Sequence, residues 1–331
     1  MLGTLGMRRA IGLGLGAFSA ALLLTAGVAS GAGPAGPRLA VIEETRNPRR
    51  VTLLTVDPHG RAPMRIAGGQ EWEGPVEAWG QLSWHPDGTE IAYPVINSIF
   101  VAGVDGSGAR ELNIARAERP VYSPDGRTLA FTRYSGGEAA IWTIDLVTGA
   151  QRQLTPTRRG LTYVGSSFSP DGATLLATRI DRKRQGKAEV VALHLGTGGV
   201  TRLLGNGFAP VYSPDATRVA FLREVGKRQV IREEGRSWRT ADLFVLETAS
   251  HSVRRLTRTP HKDEAYVSWD PSGERIAFDR FRGGHFEWAN SVVQINADGT
   301  CEDEILARRR TVFVGTGWQP GPGREAGRID C

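Results

Sequence analysis

The chain has 331 residues, and its 41 Lys and Arg against 35 Asp and Glu give a formal net charge of +6 at pH 7. This charge is mild and scattered, and no helix-turn-helix, zinc-finger or RNA-binding signature accompanies it, which argues against a nucleic-acid partner. The sequence also lacks the G-x-S-x-G, H-E-x-x-H, C-x-x-C and phosphate-loop motifs that mark several large enzyme classes.

The first thirty residues predict an export signal. Arg8 and Arg9 precede an uncharged, mostly apolar stretch, residues 10–29, and the small residues 30–32 that follow suit cleavage. We therefore expect a protein exported to the periplasm, to the cell surface or into the medium. The alternative is an uncleaved amino-terminal anchor, because about 20 apolar residues can span a bilayer.

A motif with an aromatic residue two positions before a proline has six copies along the rest of the chain, five of which open a polar turn. The prolines are 38, 46, 44, 57 and 49 residues apart, and a period in the forties with strand and turn content is typical of β-propeller blades. The six copies are Trp84-His85-Pro86, Tyr122-Ser123-Pro124, Phe168-Ser169-Pro170, Tyr212-Ser213-Pro214, Trp269-Asp270-Pro271 and Trp318-Gln319-Pro320.

The residues around each proline predict a tight turn followed by a strand. Proline presets φ, aspartate can bond its own backbone, and glycine tolerates a positive φ. Short apolar strands follow, so we predict an all-β, six-bladed β-propeller with four antiparallel strands in each blade. The full repeats lie near residues 84–112, 122–155, 168–204, 212–257 and 269–306.

The sixth blade is expected to contain both ends of a single propeller domain, residues 31–331. Residues 38–66 supply its three outer strands and residues 317–323 its innermost strand, which would close the ring and remove an exposed edge. A different closure would use Pro34 as the turn of the sixth blade and leave Trp318 as a surplus copy.

The repeats resemble those of a known family. The core Tyr122-Ser123-Pro124-Asp125-Gly126, the following Leu129-Ala130-Phe131 and a fourth strand ending in Leu-Thr are similar to the WD40-like propeller repeats of TolB proteins. The resemblance covers roughly residues 38–323 and implies the propeller fold. The chain departs from the pattern at Ala216, where glycine is usual, and at residues 270–273, and we expect no separate TolB-like amino-terminal domain.

The chain has two cysteines, Cys301 and Cys331. An even number in an exported protein indicates a disulfide. Cys301 follows the predicted turn between the third and fourth strands of its blade, and the tail leaves the neighbouring blade on that same face. We therefore predict a Cys301–Cys331 bond, with two free thiols as the alternative.

Long and irregular segments concentrate on one predicted face, which carries the loops between second and third strands and the connectors between blades. Arginine mixed with aromatic residues is typical of recognition surfaces. The candidate binding residues are Tyr163, Arg182, Lys183, Arg184, Lys227, Arg228, Trp238, Arg239, Tyr266, His285, Phe286 and Trp288.

A second set of polar residues is expected at the mouth of the central channel: Glu77, Glu118, Asn206, Asp263 and Glu264. Propeller hydrolases and lyases place carboxylates with a metal ion there. By contrast, Asp87, Asp125, Asp171 and Asp215 each belong to a different turn, which they are expected to cap. We predict no cofactor and no metal ion.

The sequence favours an exported, non-catalytic propeller that is monomeric and binds a protein or another envelope component. A metal-assisted hydrolase or lyase at the channel mouth is one alternative. Binding of an acidic wall polymer or glycan is the other, since arginine and aromatic side chains also suit that ligand.

Overall fold

The computed structural model describes residues 36–46, 49–71, 80–95, 98–184, 187–231, 236–282, 290–308, 311–321 and 326–331. In these ranges the chain forms twenty-four β-strands and one short 3-10 helix, Arg182–Arg184. The predicted export signal, residues 1–30, lies outside them. Within the described part of the chain, no helix has the length and apolar character needed to cross a bilayer.

The strands form six antiparallel sheets of four strands, the blades of the propeller. The chain starts with β1 (Leu39–Arg46), β2 (Arg49–Val56) and β3 (Met64–Glu71). Blade I follows with β4 (Ser83–Trp84), β5 (Glu90–Val95), β6 (Ser98–Gly103) and β7 (Arg110–Glu111). Blade II contains β8 (Ala117–Tyr122), β9 (Thr128–Ser135), β10 (Glu138–Asp145) and β11 (Gln151–Gln153).

The remaining blades repeat this order. Blade III contains β12 (Leu161–Phe168), β13 (Thr174–Asp181), β14 (Ala188–His194) and β15 (Val200–Gly205). Blade IV contains β16 (Phe208–Tyr212), β17 (Arg218–Ile231), β18 (Arg236–Glu247) and β19 (Val253–Arg255). Blade V contains β20 (Lys262–Trp269), β21 (Arg275–Arg282), β22 (Asn290–Asn296) and β23 (Asp303–Ala307), and β24 (Thr311–Trp318) joins β1–β3 in blade VI.

The first strand of each blade lies nearest the central axis. Strands β4, β8, β12, β16, β20 and β24 contact one another in that order, and β24 returns to β4. The sheets therefore close into a ring, which confirms the predicted six-bladed β-propeller.

Blade VI is closed by both ends of the chain, as predicted. Strand β1 pairs with β24, with Leu39 opposite Trp318. The innermost strand is Thr311–Trp318, so it precedes the proline motif instead of covering the expected residues 317–323. The physical reason is common to all six repeats, since each aromatic residue ends an innermost strand and the proline behind it opens the turn.

The repeated turns have the expected local geometry. In blade II the amide of Gly126 donates to the carbonyl of Ser123 at 2.9 Å, and the Asp125 carboxylate accepts from the amide of Arg127 at 3.1 Å. The corresponding aspartates of blades I, III and IV cap their own turns in the same way. Gly126 has a φ of +70°, and Ala216 adopts +58° at the equivalent position.

The hydrophobic core lies between neighbouring blades. Phe131, Phe221 and Phe278 occupy the same position in three repeats and are at most 1% exposed. Phe131 of blade II, for example, packs in one cluster with Ile99 of blade I. Each such side chain contributes about 1.5–3 kcal/mol through burial.

A disulfide joins Cys301 to Cys331, with 5.4 Å between their Cα atoms. It connects the turn between β22 and β23 to the carboxyl end of the chain, as the blade assignment predicted. Both cysteines of the sequence are thus paired.

Candidate functional site

The propeller has two different faces. The turn face carries the proline turns and the turns between third and fourth strands. The loop face carries the hairpins between second and third strands and the connectors between blades. The segment 223–240, which contains the candidates Lys227, Arg228, Trp238 and Arg239, lies largely on paired strands, because β17 and β18 stay paired out to Ile231 and Arg236.

Only some of the candidate binding residues can be placed. Arg182 and Lys183 are exposed on the loop between β13 and β14. Glu77, His285, Phe286 and Trp288 lie outside the described residues. For five more candidates the side chain is not described: Arg184, Lys227, Arg228, Trp238 and Arg239.

A cluster of four cationic residues forms on the loop face between blades II and III. Arg158 and Arg159 come from the connector between the blades, and Arg182 and Lys183 from the β13–β14 loop; all four are exposed. The amide of Arg182 donates to the carbonyl of Gly160 at 2.8 Å, which holds the two segments together. We call these four residues the basic cluster.

Acidic residues also lie beside the basic cluster, and the Asp181 carboxylate accepts a hydrogen bond from the amide of Lys183 at 2.9 Å. The Arg182 guanidinium lies 3.7 Å from the carboxylate of Glu138, which also accepts a hydrogen bond from Thr162 at 3.2 Å. Arg182 is exposed and Glu138 is buried, while Arg158, Arg159 and Lys183 are three further exposed cations. The cluster therefore presents a positive surface.

A shallow polar depression of about 450 Å³ borders the cluster. It is lined by residues 153–157, which lead directly into Arg158. The side-chain amide of Gln153 donates to the carbonyl of Thr155 at 2.7 Å and to the hydroxyl of Thr157 at 3.0 Å. Hydroxyl and amide groups beside cations suit an acidic, polar ligand.

The depression was not among the sequence-predicted sites. In the sequence, the depression is marked only by the polar residues that follow Leu154, just after the fourth strand of blade II. Tyr163, which was expected on the recognition surface, is buried, with 5% of its area exposed. Its ring packs between blades with Val121 and Ile141, because alternate residues of β12 face the neighbouring blade.

Side chains cross the central channel. The side-chain amide of Gln81 in blade I donates to the carbonyl of Ser166 in blade III at 3.1 Å. Tyr266 of blade V lies within electrostatic range of Arg119 and Glu118 in blade II, on the opposite side of the ring. Burial is the main cause that raises the pKa of Tyr266 above its usual value.

The acidic channel-mouth residues of blade V are engaged in structural contacts. Glu264 is 2% exposed and accepts hydrogen bonds from Arg280 at 3.0 Å and from Thr259 at 2.8 Å. Burial raises the pKa of Glu264, and Arg280 opposes the shift. Asp263 accepts from the amide of Ala241 at 2.8 Å, and burial raises its pKa to about 6.

The other described channel-mouth residues lie outside blade V. Glu118 lies on β8, and Asn206 occupies the turn between β15 and β16 with a φ of +57°. Among the described residues, no three His, Cys, Asp or Glu side chains come together as a metal site.

Comparison with known proteins finds TolB proteins by sequence and by fold, although no family model matches the chain. "Tol-Pal system protein TolB" of Anaeromyxobacter dehalogenans (strain 2CP-C) is 30% identical over 169 residues, 48% of this chain and 35% of that protein. TolB of Francisella tularensis subsp. holarctica (strain OSU18) is 23% identical over 132 residues, 36% of this chain and 29% of that protein. The matches span about a third of the length of these relatives.

The fold comparison covers more of the chain. The crystal structure of TolB from Acinetobacter baumannii has a TM-score of 0.69 at 20% identity and covers 86% of this chain and 67% of that one. A putative TolB from Agrobacterium tumefaciens has a TM-score of 0.60 at 18% identity, with 82% and 90% covered. The chain is a six-bladed β-propeller whose repeats are similar to those of TolB proteins.

Proposed function

We propose that this protein is an exported, non-catalytic propeller that binds a protein of the cell envelope through its loop face. The observation that carries the proposal is the basic cluster beside the polar depression of residues 153–157. The export pattern in residues 1–30 supports the location. The relatives that carry the name "Tol-Pal system protein" support a place in an envelope assembly.

The charge of the site indicates the character of the partner. Arg158, Arg159 and Lys183 are exposed, and a surface of this sign attracts an acidic partner and speeds its approach. The central channel supports a structural role better than a catalytic one. Glu264 accepts hydrogen bonds from Arg280 and Thr259, and the Gln81 side chain donates across the channel to the carbonyl of Ser166.

The test is capture from an envelope fraction with the mature protein as bait. The variant R158E/R159E/K183E reverses three charges of the cluster, and R61E/R65E/R127E reverses three exposed charges elsewhere as the matched control. We expect the cluster variant to lose a defined set of captured proteins that the control keeps. Equal capture by both variants would overturn the proposal.

Two further assays separate the alternatives. The first assay measures retention of the protein on an immobilised acidic glycan or wall polymer. If the parent is retained, the cluster variant is not, and no protein is captured, the polymer-binding function is favoured. The variant E118Q/D263N/E264Q tests the enzyme: a turnover of lactone, ester or glycan that it alone abolishes would establish catalysis at the channel mouth.

A further inference from the structure

The carboxyl-terminal residues 326–331 lie along the turn face of blade V as a tail without helix or strand, in which Gly327 has a φ of +66°. The Arg275 guanidinium donates to three consecutive backbone carbonyls, those of Ala326 at 2.9 Å, Gly327 at 2.7 Å and Arg328 at 3.0 Å. Arg275 is 4% exposed. One buried cation therefore binds the tail backbone over three residues.

Asn296 binds the next part of the tail as a neighbouring strand would. Its side-chain amide donates to the carbonyl of Ile329 at 3.0 Å and accepts from the amide of Ile329 at 2.7 Å. At the other end, the amide of Ala326 donates to Asp270 at 3.2 Å. These contacts use backbone groups of the tail, so they fit many sequences that have glycine at the position of Gly327.

One side chain of the tail is bound specifically. The Arg328 guanidinium donates to the Asp298 carboxylate at 2.6 Å and to the Thr300 hydroxyl at 3.4 Å. Hydrogen bonds from Thr300 and then from Arg328 hold the pKa of Asp298 well below its usual value. The contacts thus favour a cationic residue at this position.

The groups that bind the tail are held by the blade itself. Arg275 also donates to the side-chain carbonyl of Gln294 at 3.0 Å, and Gln294 in turn donates to the carbonyl of Pro58 at 2.9 Å. Asp270 and Asn296 are fully buried. Without the tail, Asp270 would still accept from Ser272 and Asn296 would still donate to Thr300, so the blade holds these groups in place for a ligand, which is the condition of a preorganised binding site.

We propose that this tail groove, formed by Asp270, Arg275, Asn296, Asp298 and Thr300, is a second peptide-binding site, in which the carboxyl-terminal tail is the resident ligand. Its ligand in trans is a segment of a partner protein with glycine at the position of Gly327 and an arginine or lysine at the position of Arg328. The site lies on the face opposite the basic cluster and does not depend on it.

The disulfide controls access to the groove. Cys331 is exposed, so a dithiol protein can exchange with the Cys301–Cys331 bond. The dithiol supplies two electrons and two protons and becomes a disulfide, while Cys301 and Cys331 become thiols. The tail is then held by hydrogen bonds alone, and an outside segment can replace it.

The test uses a fluorescent peptide with the sequence AGRIDS, which copies residues 326–331 with serine for cysteine, and follows its anisotropy. We expect the peptide not to bind the disulfide-bonded full chain and to bind saturably to a Cys301→Ser variant that lacks residues 326–331. It should bind more weakly to the reduced full chain, because the tail of that chain competes for the groove.

Matched changes identify the groove. In the deletion variant, Asn296→Ala should weaken binding about tenfold or more, and so should a peptide with glutamate in place of its arginine. A cooperative melting transition shows that the deletion variant is folded. If it does not fold, the reduced full chain with Arg328→Glu replaces it in the assay, because Asp298 repels the altered tail. A folded protein without saturable binding up to about 1 mM peptide, or unaffected by Asn296→Ala, would overturn the proposal.

Discussion

The indole Nε1 of Trp84 donates a hydrogen bond to the carbonyl of Gly317 at 2.9 Å, across the contact between blade I and blade VI. The two residues are 233 positions apart in the sequence. Trp269 makes the equivalent bond to Val211 at 3.1 Å between blades V and IV. The junction that closes the ring is therefore built like a junction within it.

Strand β24 should be essential to the ring. All eight of its residues are buried, so deleting residues 311–331 exposes the edge of β1 and several apolar side chains at about 1.5–3 kcal/mol each. We expect the melting temperature to fall by about 10 °C or more. Deleting only residues 326–331, with Cys301→Ser, is the milder control. A 311–331 deletion that melts like the parent would refute this closure.

Ala216→Gly should stabilise the protein by about 0.5–1 kcal/mol, because glycine removes the cost of a left-handed φ at this turn. The measurement is the free energy of unfolding from denaturant titration. The matched control is Gly126→Ala, which should destabilise the protein, since its new Cβ would lie 2.2 Å from the His85 ring. A loss of stability in Ala216→Gly would contradict the turn assignment.

The disulfide should be present in protein isolated from its native host, and mass spectrometry under non-reducing conditions should find Cys301 linked to Cys331. Replacing both by serine should cost about 3–4 kcal/mol, from the loss of a loop closed over 30 residues. Free thiols at both positions would disprove the bond. If the melting temperature is the same with and without reductant, the disulfide does not contribute to stability.

Asp263 should give a pH dependence opposite to that of most carboxylates. Its pKa in the folded protein is about 6, above the value of 3.8 for an exposed aspartate, so the folded state binds more protons between these values. The contribution of Asp263 to the free energy of unfolding should therefore fall by up to about 2–3 kcal/mol as the pH rises from 4 to 7.

Asp263→Asn keeps an acceptor for the Ala241 amide and cannot ionise. We expect it to be more stable than the parent at pH 7 and to show less of the decline between pH 4 and 7. Asp125→Asn is the control, because the Asp125 pKa is lowered by Ser123 and the Arg127 amide, and its stabilisation grows with pH. A parent protein whose stability rises steadily across this range, with no gain from Asp263→Asn, would contradict the assignment.

The sequence alone was sufficient for the repeat architecture. Each turn is determined by residues within about five positions of one another, such as Ser123, Asp125 and Gly126, so its geometry follows from local chemistry. Six such turns at similar spacing imply six blades. The truncated copy at Trp318 was enough to predict that the two ends of the chain share one sheet.

The tertiary structure decided which side chains can form a site, because packing between blades and across the channel is not local in sequence. Tyr163 looked like a surface aromatic, but the register of β12 directs it into the core. Glu264 looked like a channel-mouth acid, but folding pairs it with Arg280, 16 positions away. The Gln81–Ser166 bond and the grip of Arg275 on residues 326–328 join segments that no spacing rule connects, so the closed channel and the tail groove emerged only once the ring was formed.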